Sequence, residues 1–314
     1  MYQNKKGNQT KILRLEKEKR KKKKRKQRNI RIGILVVFGM TIVAIAVHIA
    51  GIDLAANSAY VMKASTGEVL FEKNSTDAIA PASTTKLITA LTAMRYCDMD
   101  DIVTIGKEVK MIASDSSKAG LLPGEKMSVK QLMIAMLLPS GNDAAYALAA
   151  HTGRVIAKDN SMGYKKAVAV FVKEMNETAK EVSADHSKFC SPDGYDCNGQ
   201  EVTAEDMAEI GKAVVASKEL TSITCMKESH EIWKTGETGD YKNTNLLLDE
   251  NSEYYNRDTI GLKTGTSDAA GCCLVSAFEI SGEDYIVVVM GSTEEGRWED
   301  TNKLYKGIVN GDLL

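Results

Sequence analysis

Histidine is scarce in this chain. His48, His151, His186 and His230 are the four in 314 residues, and none sits in a recognisable catalytic context. Cysteine is also sparse. Six over this length do not make a disulfide framework, and no Cys/His spacing resembles a metal site. Cys190 and Cys197 flank the turn-rich SPDGYD, where an oxidising compartment would permit a bond. Cys97, Cys225, Cys272 and Cys273 read as small buried apolar filler. Cys272 and Cys273, adjacent on an expected strand, would point to opposite faces. Internal repeats and long low-complexity segments are missing after residue 52, which excludes a solenoid.

What is present is a strong charge asymmetry. The formal net charge is −1. Residues 1–31 hold 15 of the 41 Lys and Arg and only Glu16 and Glu18, leaving 26 basic against 40 acidic residues in the remainder. The basic run EKEKRKKKKRKQRNIR suggests nucleic acid, but the next segment argues against that partner. IGILVVFGMTIVAIAVHIAGI, residues 32–52, has no charged residue apart from His48 when protonated. As a helix it spans roughly 32 Å, enough to cross a bilayer. Basic residues beside such a span stay cytoplasmic and can touch anionic lipid headgroups. Residues 1–31 are therefore expected as a cytoplasmic tail, 32–52 as a transmembrane signal-anchor and 55–314 as the extracytoplasmic domain of a single-pass membrane protein. The alternative is secretion after signal cleavage near the small residues Ala55, Ala56 and Ala59. The anchor is preferred, because a signal peptide has a shorter basic region and an apolar part of only about 7–15 residues.

The exported part has an apolar fraction compatible with a sizeable core, 43% over the whole chain. Residues 57–74 read as a hairpin around Ser65-Thr66-Gly67. Residues 83–96 read as a helix with Leu87, Ile88, Leu91 and Met94 on one side. Further helices are expected after Ser128, through NDAAYALAAHTG to an end at Gly153, over MGYKKAVAVFVKEMNETAKEVS, and after Thr203, where Asp206 makes a capping-box-like start. DTIGLKTGT, CCLVSAFEI and YIVVVMGS are strand-like, and a last helix runs from Trp298 to Val309. Strands, a long helical stretch, strands and a helix imply an α+β fold. An antiparallel sheet, made from both ends of the chain and flanked by helices, would carry an inserted helical subdomain, with the site at their junction.

Three short stretches carry chemistry. In PASTTKLITALTAM, Ser83 and Lys86 are three apart and share a helix face. A serine hydroxyl needs a base to act as nucleophile. Lysine, with a free pKa of ~10.4, becomes one when burial and nearby positive charge favour its neutral form. Of 21 serines after the apolar span, only Ser83 has a lysine three residues on. In LLPSGNDAAYALA, Ser140 could relay a proton, while the Asn142 amide could both donate to and accept from a substrate amide. In IGLKTGTSDAAGCCLVSA, Lys263 and Thr264 suit a carboxylate, and Gly265 lets a substrate backbone lie against the strand. A second KTG, at Lys234-Thr235-Gly236, is read as a loop. Taken singly, each stretch also reads as an ordinary capped helix or turn.

Together, and in this order, the three resemble the serine penicillin-recognising enzymes, the penicillin-binding proteins and related β-lactamases. The surroundings are similar to the low-molecular-mass D-alanyl-D-alanine carboxypeptidases over roughly residues 55–295, including SAYVMKASTGEVLFEKNSTDAIAPASTTKLITAL, VTAEDMAEIGKAV and NTNLLL. The resemblance implies a β-lactamase/transpeptidase-like fold and removal of the terminal D-alanine from peptidoglycan stem peptides. It implies an acyl-enzyme on Ser83, Lys86 as base, and Ser140 as proton shuttle. Asn142 would hold the peptide amide, and Lys263, Thr264 and Gly265 would take the substrate end. The backbone N–H groups of Ser83 and Thr266 would form the oxyanion hole. No cofactor or metal is implied; β-lactams would be covalent inhibitors. Many members carry a carboxy-terminal β-rich domain and anchor helix, whereas this chain ends about twenty residues after its last expected strand, and the amino-terminal span is expected to anchor instead. Cys272 and Cys273 stand where an aromatic and a small residue are expected. The rival functions are a β-lactamase, against which stands the lack of an E-x-x-L-N stretch, and a non-catalytic penicillin-binding or scaffold protein.

Overall fold

The computed structural model describes residues 52–313. The basic tail and nearly all of the expected membrane anchor lie outside the described residues. Among those described, no helix is long and apolar enough to cross a membrane.

The sheet is built from both ends of the chain, as the element order implies. β1 (Ser58–Lys63) and β2 (Val69–Lys73) form the first hairpin. β7 (Thr259–Ser267), β8 (Gly271–Ile280) and β9 (Glu283–Ser292) come from the other end. All pairings are antiparallel, in the order β2-β1-β9-β8-β7. β7 is therefore an outer strand. Side-chain alternation divides the two faces. Val275, Ala277, Ile286 and Val288 join the main core. On the opposite face Phe278 packs against Tyr305 of the last helix, ring centres 5.0 Å apart.

Between the strand groups lie α1 (Lys86–Met94), α2 (Val129–Leu137), α3 (Asn142–Ala157), α4 (Tyr164–Glu181), α5 (Ala204–Val215) and α6 (Lys218–Thr224). α7 (Gly296–Asn310) follows the sheet. Ser128 caps α2 in a full capping box with Gln131. Thr203 caps α5 by accepting from Asp206 N, but the Asp206 carboxylate does not complete a box. It accepts instead from His186 N and Ser187 Oγ. Gly211 of α5 lies against the sheet, where an added Cβ would come 3.0 Å from Ile286.

Three expectations need correction. Gly153 does not end its helix, which continues to Ala157. It is there because α4 approaches so closely that a Cβ would sit 1.9 Å from the Ala167 carbonyl. The inserted region is not purely helical. β3 (Ile102–Thr104) pairs with β4 (Lys126–Ser128), and β5 (Glu228–Ile232) with β6 (Thr238–Lys242). The second KTG is the turn of that latter hairpin; its strands are short and mostly exposed, so they carry little apolar signal. Cys225, finally, is exposed at the end of α6 rather than buried, and Cys272 is half-buried; Cys97 and Cys273 are buried as expected.

Candidate active site

The turn Pro81-Ala82-Ser83 sets the nucleophile candidate. Ser83 lies not in α1 itself but in a 3-10 turn, Ala82–Thr85, that leads into it. Ala82 holds a left-handed backbone, φ 46°, a conformation that costs a non-glycine residue about 1 kcal/mol or more. Two neighbours fix it. Thr84 Oγ1 donates to Pro81 O at 2.6 Å. Gly194, φ 82°, packs so tightly that a Cβ there would sit 1.9 Å from Ala82 O.

Lys86 opens α1 and is fully buried. Its Nζ lies 2.8 Å from each of Ser83 Oγ, Asn142 Oδ1 and the Asp193 carbonyl oxygen. As ammonium it donates to all three. As neutral amine it keeps two donations and turns its lone pair to the Ser83 hydroxyl. Burial pulls its pKa down to about 8, against the opposing pull of Asp193 and Asp143. At pH 7 roughly a tenth of the molecules carry the free base.

Asn142 is the first residue of α3, and its N–H donates to Ser117 O at 2.9 Å. Gly141 before it has no room for a Cβ, with Ala135 O 2.5 Å away. Asp143 accepts from the N–H groups of Ala119, Gly120 and Leu121 at 2.8–3.0 Å, tying the 117–121 loop to the helix start. Ser140 is buried with φ 64°. It makes no hydrogen bond to Lys86 or Ser83, so the relay expected of it is not assembled in this state.

β7 forms the opposite wall. At Gly265 a Cβ would meet Pro81 O at 3.0 Å and the Ser83 and Thr84 nitrogens at 3.1 Å, so glycine is what lets the strand lie against the serine turn. Lys263 is buried and donates to Thr264 O at 3.0 Å and Thr264 Oγ1 at 3.3 Å. Its pKa is pushed well below the ordinary lysine value by burial, then by the charges of Lys86 and Arg297. Thr264 Oγ1 lies 2.6 Å from Thr244 Oγ1. Thr266 is exposed at the mouth.

Two contributors escaped sequence reading. The Asp193 carbonyl, 107 residues from Lys86, holds the amine by its backbone, which no side-chain pattern announces. Its segment is closed by the Cys190–Cys197 disulfide. Arg297, at the start of α7, donates from Nη1 to Thr266 Oγ1 at 2.8 Å and lies over the Trp298 ring. Its Nε is buried with no hydrogen-bond partner among the described residues. Only its place directly after the last strand could have pointed to it.

Ser83, Asn142 and Thr266 line one cavity of about 210 Å³ together with Ser116, Tyr195, Asp196 and other polar residues. It opens at a rim carrying Asp115, Asp196 and Asp268. A buried amine beside a half-exposed hydroxyl, an amide and an outer strand can activate the serine and hold an extended peptide. The side chains here offer a nucleophile, a base, an amide and two basic groups beside the strand.

Comparison with known proteins agrees with this geometry. A protein-family model described as D-alanyl-D-alanine carboxypeptidase matches residues 43–294. The D-alanyl-D-alanine carboxypeptidase of Streptomyces sp. strain K15 is 32% identical over 80% of this chain and 86% of its own length. DacF of Bacillus subtilis, likewise a D-alanyl-D-alanine carboxypeptidase, is 31% identical over 76% of this chain. The match spans only 58% of that relative's length. Among solved structures, the Streptomyces K15 DD-transpeptidase superimposes with a TM-score of 0.73 at 30% identity, covering 81% of this chain and 97% of that one. Penicillin-binding protein D2 of Listeria monocytogenes, in its ampicillin-bound form, gives 0.66 at 27% identity over 82% and 98% of the two chains. The S-x-x-K serine with its buried lysine, the S-G-N turn and the K-T-G outer strand thus stand in their expected order on the fold of these relatives, and the chain belongs to the D-alanyl-D-alanine carboxypeptidase family.

Proposed function

We propose that this protein is a serine D-Ala-D-Ala carboxypeptidase that trims the terminal D-alanine from peptidoglycan stem peptides. The observation that carries the reading is the 2.8 Å approach of Lys86 Nζ to Ser83 Oγ, with the lysine pKa lowered to about 8.

Neutral Lys86 takes the Ser83 hydroxyl proton as Oγ attacks the carbonyl carbon of the penultimate D-alanine. The oxyanion formed lies toward the N–H groups of Ser83 and Thr266; one such donor typically stabilises the transition state by ~3–4 kcal/mol. The peptide C–N bond breaks, and its nitrogen receives a proton through Ser140, whose hydroxyl must first turn toward Ser83 and Lys86 as substrate binds. D-alanine leaves, and an ester on Ser83 remains. Water then attacks the ester, giving its proton back through the same groups and freeing the shortened peptide. Asn142 holds the substrate amide. Lys263, Thr264 and Arg297 receive the terminal carboxylate, with Gly265 leaving room for the chain. A β-lactam would follow the first half of this path, its ring carboxylate in place of the terminal one.

The test uses the purified full-length chain with a diacyl-D-Ala-D-Ala peptide. D-Alanine should be released, penicillin should add one covalent mass on Ser83, and Ser83→Ala should lose both. Normal penicillin acylation without D-alanine release would sink the carboxypeptidase reading. Rapid turnover of the penicillin adduct would instead favour a β-lactamase.

A second reading has its own support. The solved Streptomyces relative is a DD-transpeptidase by name, and the acidic rim here suits an incoming amine. Adding an amino-acid acceptor to the assay should divert part of the acyl group from water to the amine if this chain also transfers.

The placement proposed is extracytoplasmic, with residues 32–52 anchoring the protein in the bacterial membrane and residues 1–31 in the cytoplasm. It rests on the uncharged apolar span and its basic flank. Intact mass of the protein recovered from membranes would retain residue 1; a start near residue 56 in the culture medium would show cleavage and secretion instead.

A further inference from the structure

We propose that Cys97, Asp101 and His151 form a binding site for one zinc ion, remote from the catalytic cleft. No sequence spacing suggests it, because the three residues come from different places. Cys97 follows the end of α1, Asp101 closes the turn after it, and His151 lies in the third turn of α3. Folding brings one potential ligand atom from each to within 4.8 Å of the others.

The chemistry selects the ion. A thiolate, an imidazole and a carboxylate together suit zinc far better than calcium or magnesium, which prefer oxygen alone. Zinc–ligand bonds of about 2.0–2.3 Å place tetrahedral ligands roughly 3.5 Å apart. The set is thus about an ångström from closure. Asp101 is the exposed member and can swing inward, while Cys97 is buried and His151 half-buried. The open side beside Asp101 leaves the fourth position to water.

Two further observations fit a ligand here. His151 Nε2 is buried and has no hydrogen-bond partner among the described residues, although buried ring nitrogens are nearly always satisfied. The other two groups already have supporting partners of the kind that orient metal ligands. Asp98 N donates to Asp101 Oδ2 at 2.9 Å. Thr152 Oγ1 lies 3.5 Å from Cys97 Sγ. On metal binding the Cys97 thiol gives its proton to solvent, and the Thr152 hydroxyl then donates to the sulfur.

The location has a structural meaning. α1 and α3 are joined at their first turns by Lys86 and Asn142. The proposed ion joins the far end of α1 to the body of α3, so it clamps the pair of helices that carry the base and its amide partner. None of the three ligands lines the cleft.

Cobalt and zinc titration of the chelator-treated full-length protein tests the proposal. One equivalent of Co²⁺ should give a sulfur-to-cobalt charge-transfer band, zinc should displace it, and zinc should raise the melting midpoint. Cys97→Ser should abolish the band, and Asp101→Asn and His151→Gln should each weaken binding at least ~10-fold. Penicillin acylation of each variant reports its folding. If Cys97→Ser fails that check, a Cys225→Ser/Cys272→Ser variant decides, since the band must survive in it. No thiolate band in the wild type, a band unchanged by Cys97→Ser, or a band lost with Cys225 and Cys272 would overturn the site.

Discussion

Lys86 and Ser83 are one helical turn apart in sequence, and their polar atoms meet at 2.8 Å, but the amine is useful only because it is buried. With its pKa at about 8, the free-base fraction climbs about tenfold from pH 6 to pH 7 and levels off above pH 9. The second-order rate of penicillin acylation should follow that curve, with a single ascending limb near pH 8. Lys86→Ala should lower it at all these pH values by at least ~10³-fold. A rate independent of pH between 6 and 9 would remove Lys86 as base.

The same lysine couples to stability, with a definite sign. Its pKa is lower in the folded than in the unfolded chain. Between about 8 and the ordinary value of 10.5, the unfolded state therefore binds more protons. This group makes stability rise with pH across that window and leaves it flat below. Denaturant midpoints of Lys86→Met and wild type should accordingly diverge least at the alkaline end; a gap independent of pH from 7 to 10 would contradict the shift.

Gly265→Ala places a methyl group 3.0–3.1 Å from three backbone atoms of the serine turn. Backbone cannot swing aside as a flexible side chain does, so β7 and the turn must part by a few tenths of an ångström. Acylation should fall by ~10–100-fold, with a melting midpoint close to wild type. Unchanged acylation would mean that the gap between strand and turn is not critical.

Breaking the Cys190–Cys197 bridge frees the segment whose Asp193 carbonyl holds Lys86. A loop this short contributes about 2–3 kcal/mol to stability. Cys190→Ser/Cys197→Ser should melt lower and acylate more slowly even well below its melting temperature. Equal rates in the two proteins at low temperature would assign the bridge to stability alone.

Arg297 differs from Lys263 in being at the cleft mouth, where its guanidinium touches Thr266. Arg297→Ala should cut kcat/KM for a peptide with a free terminal carboxylate by ~10–100-fold, a loss of about 1.4–2.7 kcal/mol. The amidated peptide should be little affected. The variant should also raise the Lys263 pKa, since one of the positive charges depressing it is gone. Equal losses on both peptides would point to a structural role.

Local chemistry was the legible part of this sequence. Ser83 and Lys86 could be paired on paper because a helical turn fixes their separation, and β7–β9 because three β-rich runs are separated by turn residues such as SGED. The β5–β6 hairpin is not legible, because ESHEI and TGDYK bury little and look like loop. Gly153 is ambiguous on paper, because a helix stop and a close helix contact demand the same residue. Asp193 and Arg297 contribute through positions that exist only after remote segments meet, and Ser140, although correctly placed before α3, is not hydrogen-bonded to the pair it was expected to serve.

The lysine's three partners have one more consequence. Asn142 is 56 residues from Lys86 and Asp193 is 107, so a peptide containing only PASTTKLITAL would hold a solvated, charged amine and an inert alcohol. Reactivity is absent from the nascent chain and arrives with tertiary closure. A newly made molecule is therefore harmless to acyl compounds it meets before folding, and penicillin labelling doubles as a direct count of the natively folded fraction.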